Sequence, residues 1–345
     1  MKKLIALTLT LALLLPGLAS AAGVVNVFNW DEYIDESVLQ QFTEETGIEV
    51  NYMRFTTNED MIVLVEANPG SFDVVFPSDY LVERLLNKGL LEELDYSRIP
   101  NAEYILPNLR DPAYDPEGAH SVPYMWGTVG ILYNKTMVEE PVDSWGILWD
   151  EKYSNNVFMM DSMRDCLGVA LIYLGKSMNT REYPDLLAAT QLLIQQKTSG
   201  ITKAYQVDET KDKMIAGEGA LAVMWSGDAQ YAIDRNEDLA YVVPKEGSNV
   251  WVDAMVIIRN ARNLDNAYAF INFLCRPDIA VLNCEEIRYS SPNSGAIELM
   301  GEEYTSNATL NPDDETLARC EYFVDIPDNY REIYNNLWLQ VKSTR

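Results

Sequence analysis

The first hundred residues alternate between two hydrophobic periods. An apolar, Val-rich run at 24–28 has the length of a strand. Over 37–46, Val38, Leu39 and Phe42 are spaced for one helical face, with Gly47 placed to close the helix. Residues 48–55 read as a second strand from their Ile, Val and Tyr content, and 58–67 as a helix that Asn68-Pro69-Gly70 ends. Residues 72–76, apolar except at Asp73, read as a strand buried on both faces, and 80–87 as another helix before Gly89. Such β-α-β-α order predicts a mostly parallel sheet with helices on both faces. Farther on the pattern is less regular. It yields a helix at 185–196, strands at 220–225 and 252–258, a helix at 267–274 and, after Arg276-Pro277, another at 278–285. The Pro- and Asp-rich stretch 110–118 reads as a surface connection, and no internal repeat or low-complexity tract is found. At 345 residues the chain exceeds what one hydrophobic core usually supports, so two α/β lobes are expected.

Composition narrows the chemistry. The chain carries 53 Asp and Glu against 26 Lys and Arg, a net charge of −27. That balance repels phosphate backbones, which argues against a nucleic-acid partner, and suits a cationic one. A hydrophobic fraction of 48% is that of a folded protein. With one histidine, a histidine-rich zinc site or a His-dependent nucleophilic triad would rest on His120 alone. His120 is therefore read as a surface or structural residue. A pair of acids working as a glycosidase is a further class, but no two carboxylates stand out as such a pair. No metal or other cofactor is expected.

Residues 1–21 read as a secretory signal peptide. Lys2 and Lys3 precede an apolar stretch, 4–15, that is too short to span a bilayer. Pro16-Gly17 ends it, and Ala19-Ser20-Ala21 supplies the small residues of a cleavage site. An uncleaved anchor is the rival reading; a lipid anchor lacks its cysteine. Without Lys2 and Lys3 the count becomes 24 basic against 53 acidic residues, a net of −29. No later segment is apolar for long enough to cross a membrane, so an exported, soluble mature protein is expected. Export permits disulfides, and Cys166, Cys275, Cys284 and Cys320 are enough for two. Their spacing assigns no pairs, and no CxxC points to redox or zinc work. Buried, structural cysteines are the plainer reading.

In open α/β sheets, ligands bind beyond the carboxyl ends of the strands. After the first strand come Trp30-Asp31-Glu32-Tyr33, after the third Ser78-Asp79-Tyr80, and after 220–224 Trp225-Ser226-Gly227-Asp228. Trp251 and Asp253, two apart in a strand, point to one face. Four places thus pair an aromatic ring with a carboxylate. An organic cation asks for that combination: an ammonium over an indole face gains roughly 0.5–2 kcal/mol, and a carboxylate must neutralise it. A flexible diamine or triamine needs acids at separated points with flat rings between them. The plain alternative is that each Trp packs in a core and that Asp31, Asp79 and Asp228 are helix N-caps.

At these residues the chain closely resembles the periplasmic polyamine-binding proteins, the spermidine/putrescine receptors of ABC importers. The shared pieces include Phe28-Asn29-Trp30-Asp31-Glu32-Tyr33, Phe42-Thr43-Glu44-Glu45-Thr46-Gly47-Ile48, Phe72-Asp73-Val74-Val75-Phe76-Pro77-Ser78, Val122-Pro123-Tyr124-Met125-Trp126-Gly127, Pro244-Lys245-Glu246-Gly247 and Arg276-Pro277-Asp278. They run in order from about residue 25 to the carboxyl end. The resemblance implies a type II periplasmic-binding-protein fold, two α/β lobes joined by crossover strands around a ligand cleft. One lobe would comprise 24–128 and 253–300, the other 129–252 and 301–345, with crossings near 127–130 and 249–252.

Carried onto this chain, the likeness makes Trp30 and Tyr33 aromatic walls, Asp31 and Glu32 polar contacts, and Ser78 and Tyr80 a second contact loop. It makes Trp225, Trp251 and Tyr289 a box for the methylene chain, and Asp253 the central acid pairing with an amine. Asp228 falls where putrescine-preferring members carry an acid. In Asp161-Ser162-Met163-Arg164-Asp165 the family places acids for a terminal amine; here Asp165 stands where Glu is usual and Ser162 replaces an acid of some members. Phe323 stands about where some members place Gln. The function implied is capture of putrescine or spermidine by a monomeric periplasmic protein, without covalent chemistry, and hand-over to an ABC permease. Another cargo on the same fold, a thiamine-like cation or ferric iron, is the alternative; iron would want paired Tyr and often His.

Overall fold

The computed structural model describes residues 23–110 and 112–344, so the expected signal peptide lies outside the described residues. Nine strands form one curled, mixed sheet. They are β1 (Val24–Trp30), β2 (Glu49–Phe55), β3 (Val74–Val75), β4 (Ser121–Asn134), β5 (Val157–Met160), β6 (Thr202–Gln206), β7 (Leu221–Trp225), β8 (Leu239–Val242) and β9 (Val250–Ile257). The order is β2-β1-β3-β9-β4-β7-β5-β6, with β8 on β4.

Two strands make this one path into two lobes. β4 pairs with β9 from Ser121 to Thr128, then leaves it and pairs with β7 from Val129 to Tyr133 and with β8 from Ile131 to Asn134. On the first side β1 is parallel to β2 and β3, and β9 closes the group antiparallel to β3. On the second, β5 is parallel to both β6 and β7. The fold is thus a two-lobed α/β architecture, as the resemblance implies. The carboxyl ends of β1 and β3 and the amino end of β9 meet on the first lobe, and the carboxyl end of β7 lies on the second.

The helices on the first side follow the expected pattern. Glu36–Thr46 starts at Asp35, whose carboxylate accepts from the Ser37 amide at 2.8 Å, and buries Val38 and Phe42. Asn58–Ala67 starts at Thr57, whose hydroxyl accepts from the Asp60 amide at 3.1 Å. The expected strand at 72–76 shrinks to Val74–Val75. The Asp73 and Phe76 amides still donate to the Asn26 and Phe28 carbonyls, but Pro77 has no N–H with which to continue the ladder. On the second side Met163–Tyr173 and Tyr183–Thr198 pack together, and the final helix Asp328–Ser343 lies across both.

β4 is 14 residues long and went unread in the pattern because Pro123, Gly127 and Gly130 look like strand breakers. The glycines mark close approaches instead. A Cβ on Gly127 would stand 2.7 Å from the Trp251 ring, and one on Gly130 2.5 Å from the Tyr241 ring. Every residue of β9 is buried, which makes a carboxylate in its middle conspicuous.

Candidate functional site

That carboxylate is Asp253. An ionised acid in a fully buried strand is costly unless it is paired. Here it is partly satisfied: Oδ2 accepts from the Tyr33 hydroxyl at 2.8 Å and Oδ1 from the Ser78 hydroxyl at 2.6 Å. Burial pushes its pKa up to about 6, against the opposing pull of those two hydrogen bonds. Both donors are neutral, so the charge itself has no cation beside it. Ser78 is placed by an isolated antiparallel bridge to Asp253 and heads the helix Asp79–Asn87. Its side chain makes no cap bond there and is free to face the acid. Asn58 fixes the loop, donating to the Ser78 hydroxyl at 3.0 Å and to the Tyr80 hydroxyl at 3.2 Å.

Aromatic rings line up from Asp253. Tyr33 meets Tyr289 edge-on at 5.7 Å, and Tyr289 meets Trp251 edge-on at 5.0 Å. Tyr124 braces the back of Tyr33 and donates to its carbonyl at 3.0 Å. Gly227 lets Tyr289 lie against the turn after β7, since a Cβ there would come within 2.3 Å of the ring. Tyr289 is deeply buried; burial, followed by the nearby Asp228 charge, keeps its hydroxyl protonated well above the ordinary tyrosine range. Trp30 closes β1 with its indole N–H donating to the Phe76 carbonyl at 2.9 Å. Trp225 ends β7 as the N-cap residue of the helix Ser226–Ile233 and is partly buried.

A second acid pole lies on the other lobe. Asp165 sits in the first turn of the helix Met163–Tyr173, buried, and accepts from the Ser162 hydroxyl. Burial lifts its pKa to about 6, with the Ser162 bond and the Arg164 charge opposing. Tyr80 reaches toward this pole from the first lobe. Its hydroxyl donates to Glu59 at 3.3 Å, and its ring meets Phe323 edge-on at 6.3 Å. Arg164 stacks 4.2 Å above Phe323 and 5.3 Å from the Tyr80 ring. Its guanidinium is committed to the Val324 carbonyl and to Asn179. Asn58 and Glu59 were not singled out in the sequence, where they read as ordinary helix positions, and Arg164 carried no role of its own beside Asp165. Asp79 is also fully buried, its pKa raised by desolvation, with one carboxylate oxygen lacking a partner.

Three expected site acids are paired with the protein's own cations. Asp31 is half exposed and faces Arg54 at 3.5 Å in a surface ion pair. Glu32 and Asp228 converge instead on Lys211, at 3.3 and 3.2 Å. Neither Asp31 nor Asp228 caps a helix: the first cap after β1 is Asp35, and Asp228 is the third residue of its helix. Lys211 had no sequence signal, being one charge in the mixed run Asp208-Glu209-Thr210-Lys211-Asp212-Lys213.

Elsewhere, His120 is mostly buried with Nδ1 3.4 Å from Asp115, whose carboxylate also holds the Ser121 hydroxyl. This is a structural clasp. The four cysteines are free, three of them buried, and desolvation pushes Cys275 and Cys284 up to about 12. A separate concavity lined by Tyr96, Ile99, Pro100, Glu103 and Arg110 has one acid and no indole. Among the described residues no cluster of His, Cys, Asp and Glu is arranged to hold a metal ion, and no helix is long and apolar enough to cross a membrane.

Fold and side chains together define a class: a two-lobed α/β binding protein in which a buried carboxylate, Asp253, with neutral donors only, lies beside a run of aromatic rings. The chain belongs to the bacterial extracellular solute-binding protein family, whose description matches residues 37–312. It is 34% identical over 324 residues to a spermidine/putrescine-binding periplasmic protein of Salmonella typhimurium, covering 92% of each chain. It is 31% identical over 358 residues to the putrescine-binding periplasmic protein SpuD of Pseudomonas aeruginosa, covering 98% of this chain and 97% of that one. Its fold matches the crystal structure of the spermidine/putrescine ABC transporter substrate-binding protein PotD of Streptococcus pneumoniae, solved with calcium and HEPES. The TM-score is 0.82 at 39% identity, over 93% of this chain and 99% of that one.

Proposed function

We propose that this protein captures putrescine or spermidine in its interlobe cleft and hands it to an ABC permease, doing no covalent chemistry. Asp253 pairs with one ammonium, and Tyr33, Trp251 and Tyr289 flank the methylene chain, with Trp30 and Trp225 completing the walls. Ser78 and Tyr80 position the acids, and Asp165 receives the distal ammonium. The lobes are 24–128 with 253–300, and 129–252 with 301–345; the switch of β4 partners after Thr128 supports the first crossing. The mature protein works as a monomer in the periplasm after loss of residues 1–21.

One observation carries this reading. Asp253 is a buried acid with two neutral donors, no cation and a run of aromatic rings beside it. A protonated amine supplies the missing charge, and the rings suit its alkyl chain. Relatives named for spermidine and putrescine support the same choice. A thermal-shift panel with putrescine, spermidine, cadaverine and thiamine tests it. Ligand at about 100 times its dissociation constant adds roughly 2.7 kcal/mol to the folded state. Putrescine or spermidine is expected to raise the melting temperature by several degrees. A shift with thiamine alone, or with none of the four, would overturn the proposal.

A further inference from the structure

Lys211 pairs with two of the expected site acids and has no task in the polyamine reading. It lies on the helix Glu209–Ile215 of the second lobe, with its side chain 15% exposed. Its ammonium stands 3.2 Å from Asp228, on the same lobe, and 3.3 Å from Glu32, at the end of β1 on the other. Asp208 lies close enough to feel both, and the Tyr231 ring is 5.5 Å from the ammonium. Burial disfavours the charge of Lys211, yet the Asp228 and Glu32 carboxylates hold its pKa above the ordinary lysine range. Glu32 adopts a left-handed backbone with φ 49°, a conformation that costs a non-glycine residue free energy and marks a position held by its surroundings. Asp228 in turn lies beside Tyr289, whose ring leads through Tyr33 to Asp253. The protein's own ammonium therefore occupies the acid group at one end of the same aromatic path.

We propose that Lys211 is a built-in ammonium that occupies the Glu32–Asp228 acid pair and so disfavours ligands bringing an additional charge to that end of the cleft. The inference rests on the polyamine reading and refines it. With Lys211 in place, an extra ligand amine meets a positive charge where the acids alone would have welcomed it. Removing that charge leaves Asp228 and Glu32 unpaired across the cleft, and a longer, more highly charged amine can neutralise them.

The test is calorimetric titration of native protein, Lys211→Met, Lys211→Arg and the Lys211→Met/Asp228→Asn double variant with putrescine and with spermidine. The quantity read is the ratio of the two affinities. Lys211→Met is expected to move that ratio toward spermidine by about tenfold, Lys211→Arg to leave it near the native value, and the double variant to cancel most of the gain. Lys211→Gln is read in the same way if the methionine variant does not fold. A ratio within about threefold of native in the neutral variants, or a gain that survives Asp228→Asn, overturns the assignment of Lys211 while leaving the polyamine reading intact. Native protein that binds neither amine overturns both.

Discussion

Asp253 and Asp165 are both buried acids whose pKa is raised by their surroundings. Each has a folded-state pKa of about 6, raised first by desolvation. The ordinary aspartate value is about 3.9, so each group favours the ligand-free fold most below about pH 4 and loses that contribution as pH rises through about 6. Ligand binding has the opposite sign, because an ammonium needs the anion. Putrescine affinity is therefore expected to fall as pH drops from 7 to 5, with net proton release on binding near pH 6. Calorimetry at several pH values, in buffers of different ionisation enthalpy, reads both quantities. Affinity that stays level across this range with no proton release would show that neither acid faces the ligand. At this scale the sequence was informative where chemistry violated a local rule, as with an acid inside the apolar run of β9. It was silent where the deciding contact is long-range. Lys211 looks like any surface lysine until Glu32 is brought to it, and Asp31 looks like Trp30's partner until Arg54 takes it.

Turns between elements place the site more than the elements themselves. Strands and helices of the first lobe were legible because their periods are clean; their caps were not, since Asp35 and Thr57 rather than Asp31 start the first two helices. β4 was not, because its glycines serve rings that belong to distant segments, Trp251 and Tyr241. β3 was overestimated because apolar content continues into Phe76 while Pro77 ends the pairing. The turn at Ser226-Gly227 makes a sharper demand. Gly227→Ala puts a methyl group into the Tyr289 ring, and overpacking of this kind costs roughly 1–3 kcal/mol. Lower thermal stability and weaker polyamine binding are expected together, since moving Tyr289 disturbs both the wall and its contact with Trp251. Unfolding curves and titration of the same variant check this; native stability with native affinity would mean that Tyr289 is not seated against this turn.

At the scale of the whole molecule, two lobes share the strand pair β4 and β9, and the proposed site draws side chains from both sides of the β4 switch. Tyr33, Ser78 and Asp253 belong to the first side of the β4 switch, Asp165, Lys211 and Asp228 to the second. A flexible dication that satisfies acids on both sides binds better when the lobes are together, which is the differential affinity that closure requires. Two-lobe organisation was readable from chain length and β-α-β order; the crossings near 127–130 and 249–252 followed only from the family resemblance, since the hydrophobic pattern alone does not show β4. The claim beneath all of this is that Asp253 pairs with an amine desolvated by the cleft. Calorimetric titration of native protein and Asp253→Asn with putrescine and spermidine tests it most directly. Stripping one partner from a buried ion pair costs about 2–5 kcal/mol, so the variant is predicted to lose at least about 30-fold in affinity for both amines while remaining folded. Near-native affinity in Asp253→Asn would contradict the account.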